Sequence, residues 1–438
     1  MSPCSVQRVR AIVEHAHADA QAIACVLRSR GAEVVLCEPE ELDRTLPPHD
    51  AFYADPWTSE VAPRIRASRR GGVVTSSIGD LVLEQCARSA IGITGTAGKS
   101  STAALVRDLL ASSGCTVVAS TTARAGNLWP SHDVLAQVQD LRADARVCLE
   151  LTSTHLCFMS RSPQIAVVTN VWADHVELHG SERRYRAAKR AILEHQGVDG
   201  WAVLNADDPG SARLRGAVVG RCAWVSLRRG VRQGVGVESG RLVARLEGRI
   251  DDLGTAPAGP FAVNVACACA AALLAGADPA RVRERWPRGV ALPFRQSFLG
   301  IVDGVRVIDD GLAATPSKAA IGLAALDPAT TVVIAGGHRS FSGAVVHDSA
   351  AERAQVERFC GVLAAMRGAV VFGGAGAHLA TRVPRAAPAS DLRAAWDEAR
   401  ALAVPGCTIV LAPGYPLTLE ERAAFARYAS SGAIAATE

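Results

Sequence analysis

The chain has 438 residues, 49% of them hydrophobic and 21% charged, with 47 basic against 43 acidic residues and a formal net charge of +4. That length exceeds one ordinary core and sets an expectation of about three domains, while the apolar and charged fractions exclude a disordered or fibrous chain. The near-balanced charge and the lack of any apolar run long enough to span a bilayer leave no nucleic acid and no membrane among the expected partners.

The start, Met1-Ser2-Pro3-Cys4-Ser5-Val6-Gln7-Arg8, lacks the charged-then-apolar layout of a secretory signal, and the twelve cysteines are scattered without Cys-x-x-Cys pairs. Both features point to a cytoplasmic protein with reduced cysteines. Residues 1–88 carry strand patterns at 8–13, 32–37 and 72–75 and a helical pattern at 18–30, which reads as a small Rossmann-like α/β domain. Basic clusters at 64–70 and 228–232 read as solvated faces.

Residues 89–290 read as a central domain with a doubly wound sheet: strands at 90–94, 116–119, 147–151, 165–169 and 201–204, with helices at 101–110, 182–195 and 263–274. Within it, 221–249 alternates short β-like runs with glycine and reads as an antiparallel excursion. Residues 291–438 restart the α/β alternation, with strands at 305–309, 331–335, 369–372 and 408–411 and helices at 317–326, 351–367, 391–403 and 419–430. The pairs Gly336-Gly337 and Gly373-Gly374 follow two of those strands, where open sheets hold ligands or simply turn sharply.

The most informative segment is Gly95-Thr96-Ala97-Gly98-Lys99-Ser100-Ser101, set between the strand 90–94 and a helix. Gly95 and Gly98 let backbone N–H groups approach a polyphosphate, Lys99 adds a point charge, and Ser100 offers a hydroxyl to Mg²⁺. Strand, loop and helix in that order put the anion at a helix N-terminus, so the chain is expected to use a nucleoside triphosphate.

Three further positions carry possible chemistry. Glu150 ends a strand, where a carboxylate can hold a second Mg²⁺ or merely cap a helix or face solvent. His175, in Thr169-Asn170-Val171-Trp172-Ala173-Asp174-His175, can ligate a metal with Asp174 behind it, or be structural. Lys189, in Tyr185-Arg186-Ala187-Ala188-Lys189, has by itself the standing of any exposed helical lysine.

Taken together these motifs resemble the Mur ligases, ATP-dependent amide-forming enzymes that include folylpolyglutamate synthase. Further matches are Val203-Leu204-Asn205-Ala206-Asp207-Asp208-Pro209, Leu292-Pro293-Phe294-Arg295 and the run from Asp309 to Pro316, so the resemblance covers about residues 89–425. It implies that Gly95, Thr96, Gly98, Lys99, Ser100 and Ser101 hold the phosphates of ATP, with Ser100 on a first Mg²⁺. It implies Glu150, His175 and a carbamylated Lys189 at a second Mg²⁺, and Asn264, Arg295 and Asp310 against the nucleotide. The implied reaction activates an acceptor carboxylate as an acyl phosphate and couples it to an amino acid. Within the family, the run Asp309 to Pro316 is nearest to the branch that adds glutamate to UDP-N-acetylmuramoyl-L-alanine. The resemblance also implies a monomer. A purely nucleotide-binding protein has no use for the second metal set, and a phosphate-loop GTPase or kinase predicts neither Lys189 nor the last domain.

Departures from the family pattern fall on substrate recognition. Asp310-Gly311-Leu312-Ala313-Ala314 lacks the lysine and threonine expected beside the amino acid, and Arg339 and Ser340 stand where a second lysine is expected. The segment Ala412-Pro413-Gly414-Tyr415-Pro416-Leu417-Thr418 is shortened, and Cys267 replaces an asparagine on the Asn264 helix. After the first strand, Val13-Glu14-His15-Ala16-His17-Ala18-Asp19 replaces a glycine-rich turn and brings carboxylates where a pyrophosphate is expected. A small non-UDP carboxylate is therefore the alternative acceptor.

Overall fold

A computed structural model describes residues 9–15, 17–121, 127–338 and 350–430, and the backbone of 433–434. The chain forms two compact units, Met1–Val290 and Ala291–Glu438. Arg339 and Ser340, like Met1 to Arg8, lie outside the described residues.

The first unit holds two sheets. In the smaller, β1 (Arg10–Glu14), β2 (Glu33–Cys37), β3 (Ala51–Tyr53) and β4 (Val74–Ser76) run parallel in the order β2-β1-β3-β4. The larger comprises β5 (Ala90–Thr94), β6 (Val117–Val118), β7 (Arg146–Glu150), β8 (Ile165–Val168), β9 (Trp201–Asn205), β10 (Arg221–Ser226), β11 (Gly234–Glu238), β12 (Arg241–Leu246) and β13 (Arg249–Thr255), in the order β13-β12-β11-β10-β9-β8-β5-β7-β6. Its strand order reverses at β5, which has β7 on one side and β8 on the other. Ligands bind beyond the carboxyl ends of strands at such a reversal, and the glycine loop after β5 occupies that place.

One face of the larger sheet is covered by the helices Lys99–Ser112 and Ala262–Leu274. Ile91 and Ile93 meet Leu105 and Leu109 in one buried cluster, together with Ala266, Cys267, Ala268 and Cys269 of the second helix. The small side chains of that helix let its backbone come close to the sheet, and its cysteines serve as apolar filler. The other face merges with the core of the first sheet: Val13 and Ile23 share a cluster with Leu135, Leu149 and Leu193. Polar ties reinforce the join. Asp19 Oδ1 accepts from His132 N–H at 2.7 Å and Asp80 Oδ1 from Ser160 N–H at 2.8 Å. Truncating a buried leucine such as Leu135 to alanine at such a seam costs about 2–5 kcal/mol.

In the second unit, β14 (Ser297–Val302), β15 (Val305–Asp309), β16 (Thr331–Gly336), β17 (Gly368–Phe372), β18 (Ala387–Ala389), β19 (Thr408–Gly414) and β20 (Ala433–Ile434) form a sheet ordered β18-β17-β16-β19-β15-β14-β20. The five strands from β18 to β15 are parallel, and β14 and β20 add antiparallel pairing at the other edge. Trp396 and Phe425 meet edge to face on one side of it, with ring centroids 5.6 Å apart.

The mixed α/β architecture expected from sequence is thus observed, with three sheets. The excursion at 221–249 differs from expectation: β10 and β11 continue the parallel sheet, and antiparallel pairing starts at the β11–β12 turn and runs on to Thr255. Gly234, at φ 129°, lies so close to the β10 backbone that a Cβ there would meet Trp224 O at 1.8 Å. Close backbone approach explains this glycine better than a turn does. The cluster at 64–70 also departs from a solvated face, because Arg64 is buried and ion-paired to Glu14 and Asp43.

Candidate active site

The loop after β5 is shaped by two glycines at positive φ, Gly95 at 158° and Gly98 at 82°. A Cβ at Gly95 would lie 2.0 Å from Thr169 Oγ1, and one at Gly98 would lie 2.2 Å from Asn264 Oδ1. Conformation and space both exclude larger residues, and Asn264 is thereby located against the loop. Gly98 caps the helix Lys99–Ser112, whose ladder begins with Thr102 N–H on Gly98 O at 2.9 Å. The start of that helix gives the partial positive charge that an anion requires.

The loop is held from the strand beside it. Asn170 Oδ1 accepts from the N–H groups of Thr96 at 3.0 Å and Ala97 at 2.9 Å, and Asn170 Nδ2 donates to Ala97 O at 3.1 Å. Thr169 Oγ1 donates to the same oxygen at 2.8 Å. Thr96 Oγ1 accepts from Trp172 N–H at 3.1 Å and lies 2.9 Å from Tyr185 Oη. The N–H and hydroxyl of Thr96 are therefore engaged in fixing the loop. Ser101 sits half-buried in the first turn of the helix.

Two lysines converge on one carbonyl. Lys99 Nζ donates to Gly95 O at 3.0 Å, and Lys189 Nζ donates to the same oxygen at 2.9 Å. Lys189, on the helix Glu182–Glu194, is 1% exposed, and its ammonium stands 4.9 Å from the centre of the Tyr185 ring. Burial this complete removes it from the ordinary class of surface lysines.

Glu150 closes β7 in register with Ile93 and is 3% exposed, which excludes the solvent-facing alternative. Its Oε2 is buried without a hydrogen-bond partner among the described residues. An unsatisfied buried carboxylate oxygen is costly unless a cation meets it, so Glu150 fits a metal. Ser100 Oγ donates to Asn127 Oδ1 at 3.0 Å. His175, at φ 48°, precedes the short helix Val176–His179, with Nδ1 3.3 Å from Glu177 Oε1 and Nε2 3.7 Å from Asp174 Oδ2. Both carboxylates can orient a metal-binding imidazole.

Residues that sequence reasoning missed adjoin this centre. Glu150 N–H donates to Leu128 O at 2.7 Å, which brings the segment Asn127-Leu128-Trp129 to the end of β7. His155 is 1% exposed, and its Nδ1 accepts from Thr152 N–H at 3.2 Å, so the ring proton is on Nε2. That Nε2 and the indole Nε1 of Trp129, whose rings lie 6.1 Å apart, are buried donors without partners among the described residues. Burial pushes the His155 imidazole down to about 4, against the carboxylates of Asp55 and Asp19 and with the charge of Lys99. It is a neutral donor at physiological pH.

At the carboxyl end of the first sheet, His15 Nδ1 meets Glu38 at 2.8 Å and His17 Nε2 meets Asp55 at 2.7 Å, with the two imidazoles stacked 5.5 Å apart. Glu14 points inward, paired with Arg64 and accepting from Asp55 N–H at 2.8 Å. Of the carboxylates noted in the sequence, Glu14 is thus charge-matched in place, and Asp19 is held by His132.

In the second unit, Arg295 lies between Phe294 and Gln296, both at positive φ, 62° and 52°. Asp310 accepts from Gln296 Nε2 at 2.8 Å, and burial pushes its carboxyl up to about 7. The neighbouring Asp309 is raised to about 6 for the same reason.

Fold and loop together define an α/β enzyme of the phosphate-loop class. The Mur ligase middle domain matches residues 93–227. Over 379 residues the chain is 33% identical to the UDP-N-acetylmuramoylalanine–D-glutamate ligase of Symbiobacterium thermophilum, covering 83% of this chain and 79% of that one. Its fold is shared with a pseudomurein peptide ligase type C from Methanothermus fervidus, with TM-score 0.61, 14% identity and coverage of 97% and 99%. It is shared equally with a MurF ligase from Thermotoga maritima in complex with ADP, with TM-score 0.61, 17% identity and coverage of 98% and 96%. The chain belongs to the Mur ligase family, whose members are ATP-dependent ligases.

Proposed function

We propose that this ligase adds glutamate to a UDP-N-acetylmuramoyl-L-alanine-type acceptor. The name of the Symbiobacterium relative supports the substrates. The observation that carries the chemistry is the convergence of Lys99 and Lys189 on Gly95 O beside the unsatisfied Glu150 carboxylate. A first Mg²⁺ would be held by Ser100 and a second by Glu150, His175 and Lys189, the last as a carbamate; when bound they would neutralise charge where two anions must meet. The γ-phosphate of ATP lies at the start of the Lys99–Ser112 helix, with Lys99 against its developing charge. The acceptor carboxylate attacks the γ-phosphorus and ADP leaves. The glutamate amine then attacks the acyl phosphate carbon, inorganic phosphate leaves, and the nitrogen loses a proton. His155 Nε2–H and Trp129 Nε1–H supply two donors for an acceptor oxygen. Arg295 and Asp310 would contact the nucleotide, and the working form is a monomer.

A second reading, an amino acid joined to a small non-UDP carboxylate, is favoured by the His15–Glu38 and His17–Asp55 pairs at the first sheet's ligand edge. The deciding experiment incubates the protein with ATP, Mg²⁺, bicarbonate and UDP-N-acetylmuramoyl-L-alanine, offering D- or L-glutamate, and reads phosphate release and product mass. A condensed product with either enantiomer supports the first reading. Turnover only with a simpler carboxylate supports the second, and phosphate release with no condensed product from any acceptor rejects both.

A further inference from the structure

The helix Glu182–Glu194 has a second occupied side. Arg184, Ala187, Ala188 and Ala191 line a cavity of about 610 Å³ whose facing wall is the helix Pro63–Arg70, with Arg66, Arg69 and Arg70. At 3.6 residues per turn Lys189 lies roughly 150° round the helix from the middle of that stripe, so the cavity is separate from the phosphate loop. Its carboxylates are already matched. Glu60 is held by His179 Nδ1 at 3.0 Å and lies 3.8 Å from Arg69 Nη1, and Glu194 is paired with Arg190 at 2.8 Å. Arg69 is also anchored, donating to Cys157 O at 2.8 Å and to Thr75 Oγ1 at 3.2 Å.

Arg66, Arg70 and Arg184 remain, lining the same cavity without an ion-pair partner among the described residues. Three uncompensated guanidinium groups around an alanine floor repel one another, and an anion with several oxygens relieves that repulsion. Planar guanidinium forks match the oxygen geometry of phosphate better than any other common side chain.

We propose that this cavity is a binding site for a small free anion of phosphoanhydride type, held between Arg66 and Arg70 on one wall and Arg184 on the other. Inorganic pyrophosphate, titrated calorimetrically into the full-length protein at low salt, is the probe. In Lys99→Ala, where the phosphate loop is weakened, one pyrophosphate site remains. Adding Arg66→Ala and Arg184→Ala weakens that site at least about tenfold. The Arg66→Ala/Arg184→Ala protein with Lys99 intact keeps its phosphate-loop site and its melting temperature, as expected for substitutions at exposed positions. Adding Arg184→Lys alone to Lys99→Ala gives an intermediate loss, because charge remains and the fork does not. The proposal is overturned if Lys99→Ala binds no pyrophosphate, or if the added arginine substitutions leave the titration unchanged. It is also overturned if phosphatidylglycerol vesicles, but not pyrophosphate, bind in an Arg184-dependent way.

Discussion

The carboxyl ends of the two parallel sheets in the first unit are built for opposite electrostatic tasks. Beyond β5 the chain gathers positive potential: a helix N-terminus and two lysines stand on one carbonyl, with the Glu150 carboxylate alongside. Beyond β1 and β3 it gathers matched pairs, His15 with Glu38, His17 with Asp55 and Glu14 with Arg64. The first edge suits a reaction between anions that is the same for every substrate. The second, whose carboxylates are paired internally, would suit recognition by shape and hydrogen-bonding pattern. Under the proposed function, catalysis and choice of acceptor would be divided between two sheets that share one hydrophobic seam.

Substitutions can test that division. Lys99→Ala should lower kcat about a thousandfold or more in a phosphate-release assay while leaving the melting temperature near that of the parent. Glu14→Gln leaves the buried Arg64 guanidinium with Asp43 as its remaining ion-pair partner and should destabilise the protein by about 3 kcal/mol, measured by denaturant titration. If it instead removed activity without loss of stability, Glu14 would belong to the reaction and the division would fail. Glu150→Gln should reduce turnover about a hundredfold and raise the Mg²⁺ concentration needed for half-maximal rate.

Smaller effects sharpen the boundary between the two edges. His155→Ala should raise KM for the acceptor about tenfold with little change in KM for ATP, because it removes the donor proposed for an acceptor oxygen. The His17–Asp55 pair should produce the weakest signal. The hydrogen bond that His17 donates to Asp55 raises the His17 pKa above 6.5. Burial of Asp55 acts upward, and its bonds to His17 and Trp57 N–H outweigh that to bring it below 3.8. The pair therefore stabilises fully between those ordinary values, and loses its contribution as pH rises through the elevated His17 value or falls through the depressed Asp55 value. The melting temperature should decline slightly more between pH 6 and 8.5 in the parent than in His17→Gln.

Much of this was legible in the sequence wherever a local rule decides structure. Ala90–Thr94, the glycine loop and the following helix are fixed by apolar period and glycine spacing, and Glu150 stands where its strand pattern ends. The strand Ala51–Tyr53 was not, because three residues carry no period. His155 was not, because its capping box with Thr152 is a local feature and only the tertiary fold brings its ring edge to face with Trp129. Arg64 was indistinguishable from its neighbours Arg66 and Arg70 until β1 brought Glu14 beneath it. Burial of a charge depends on what arrives from far along the chain, and spacing is silent about that.

The shared acceptor of Lys99 and Lys189 also bears on the proposed carbamate. While both side chains are ammonium groups, Gly95 O lies between like charges, and each opposes the close approach of the other. A carbamate on Lys189, as proposed above, would instead set an anion near the Lys99 ammonium and give the loop an internal clasp. Carbon dioxide would then act before nucleotide, as a maturation step that prepares the resting enzyme, and protein purified without bicarbonate should show a lag before reaching full rate.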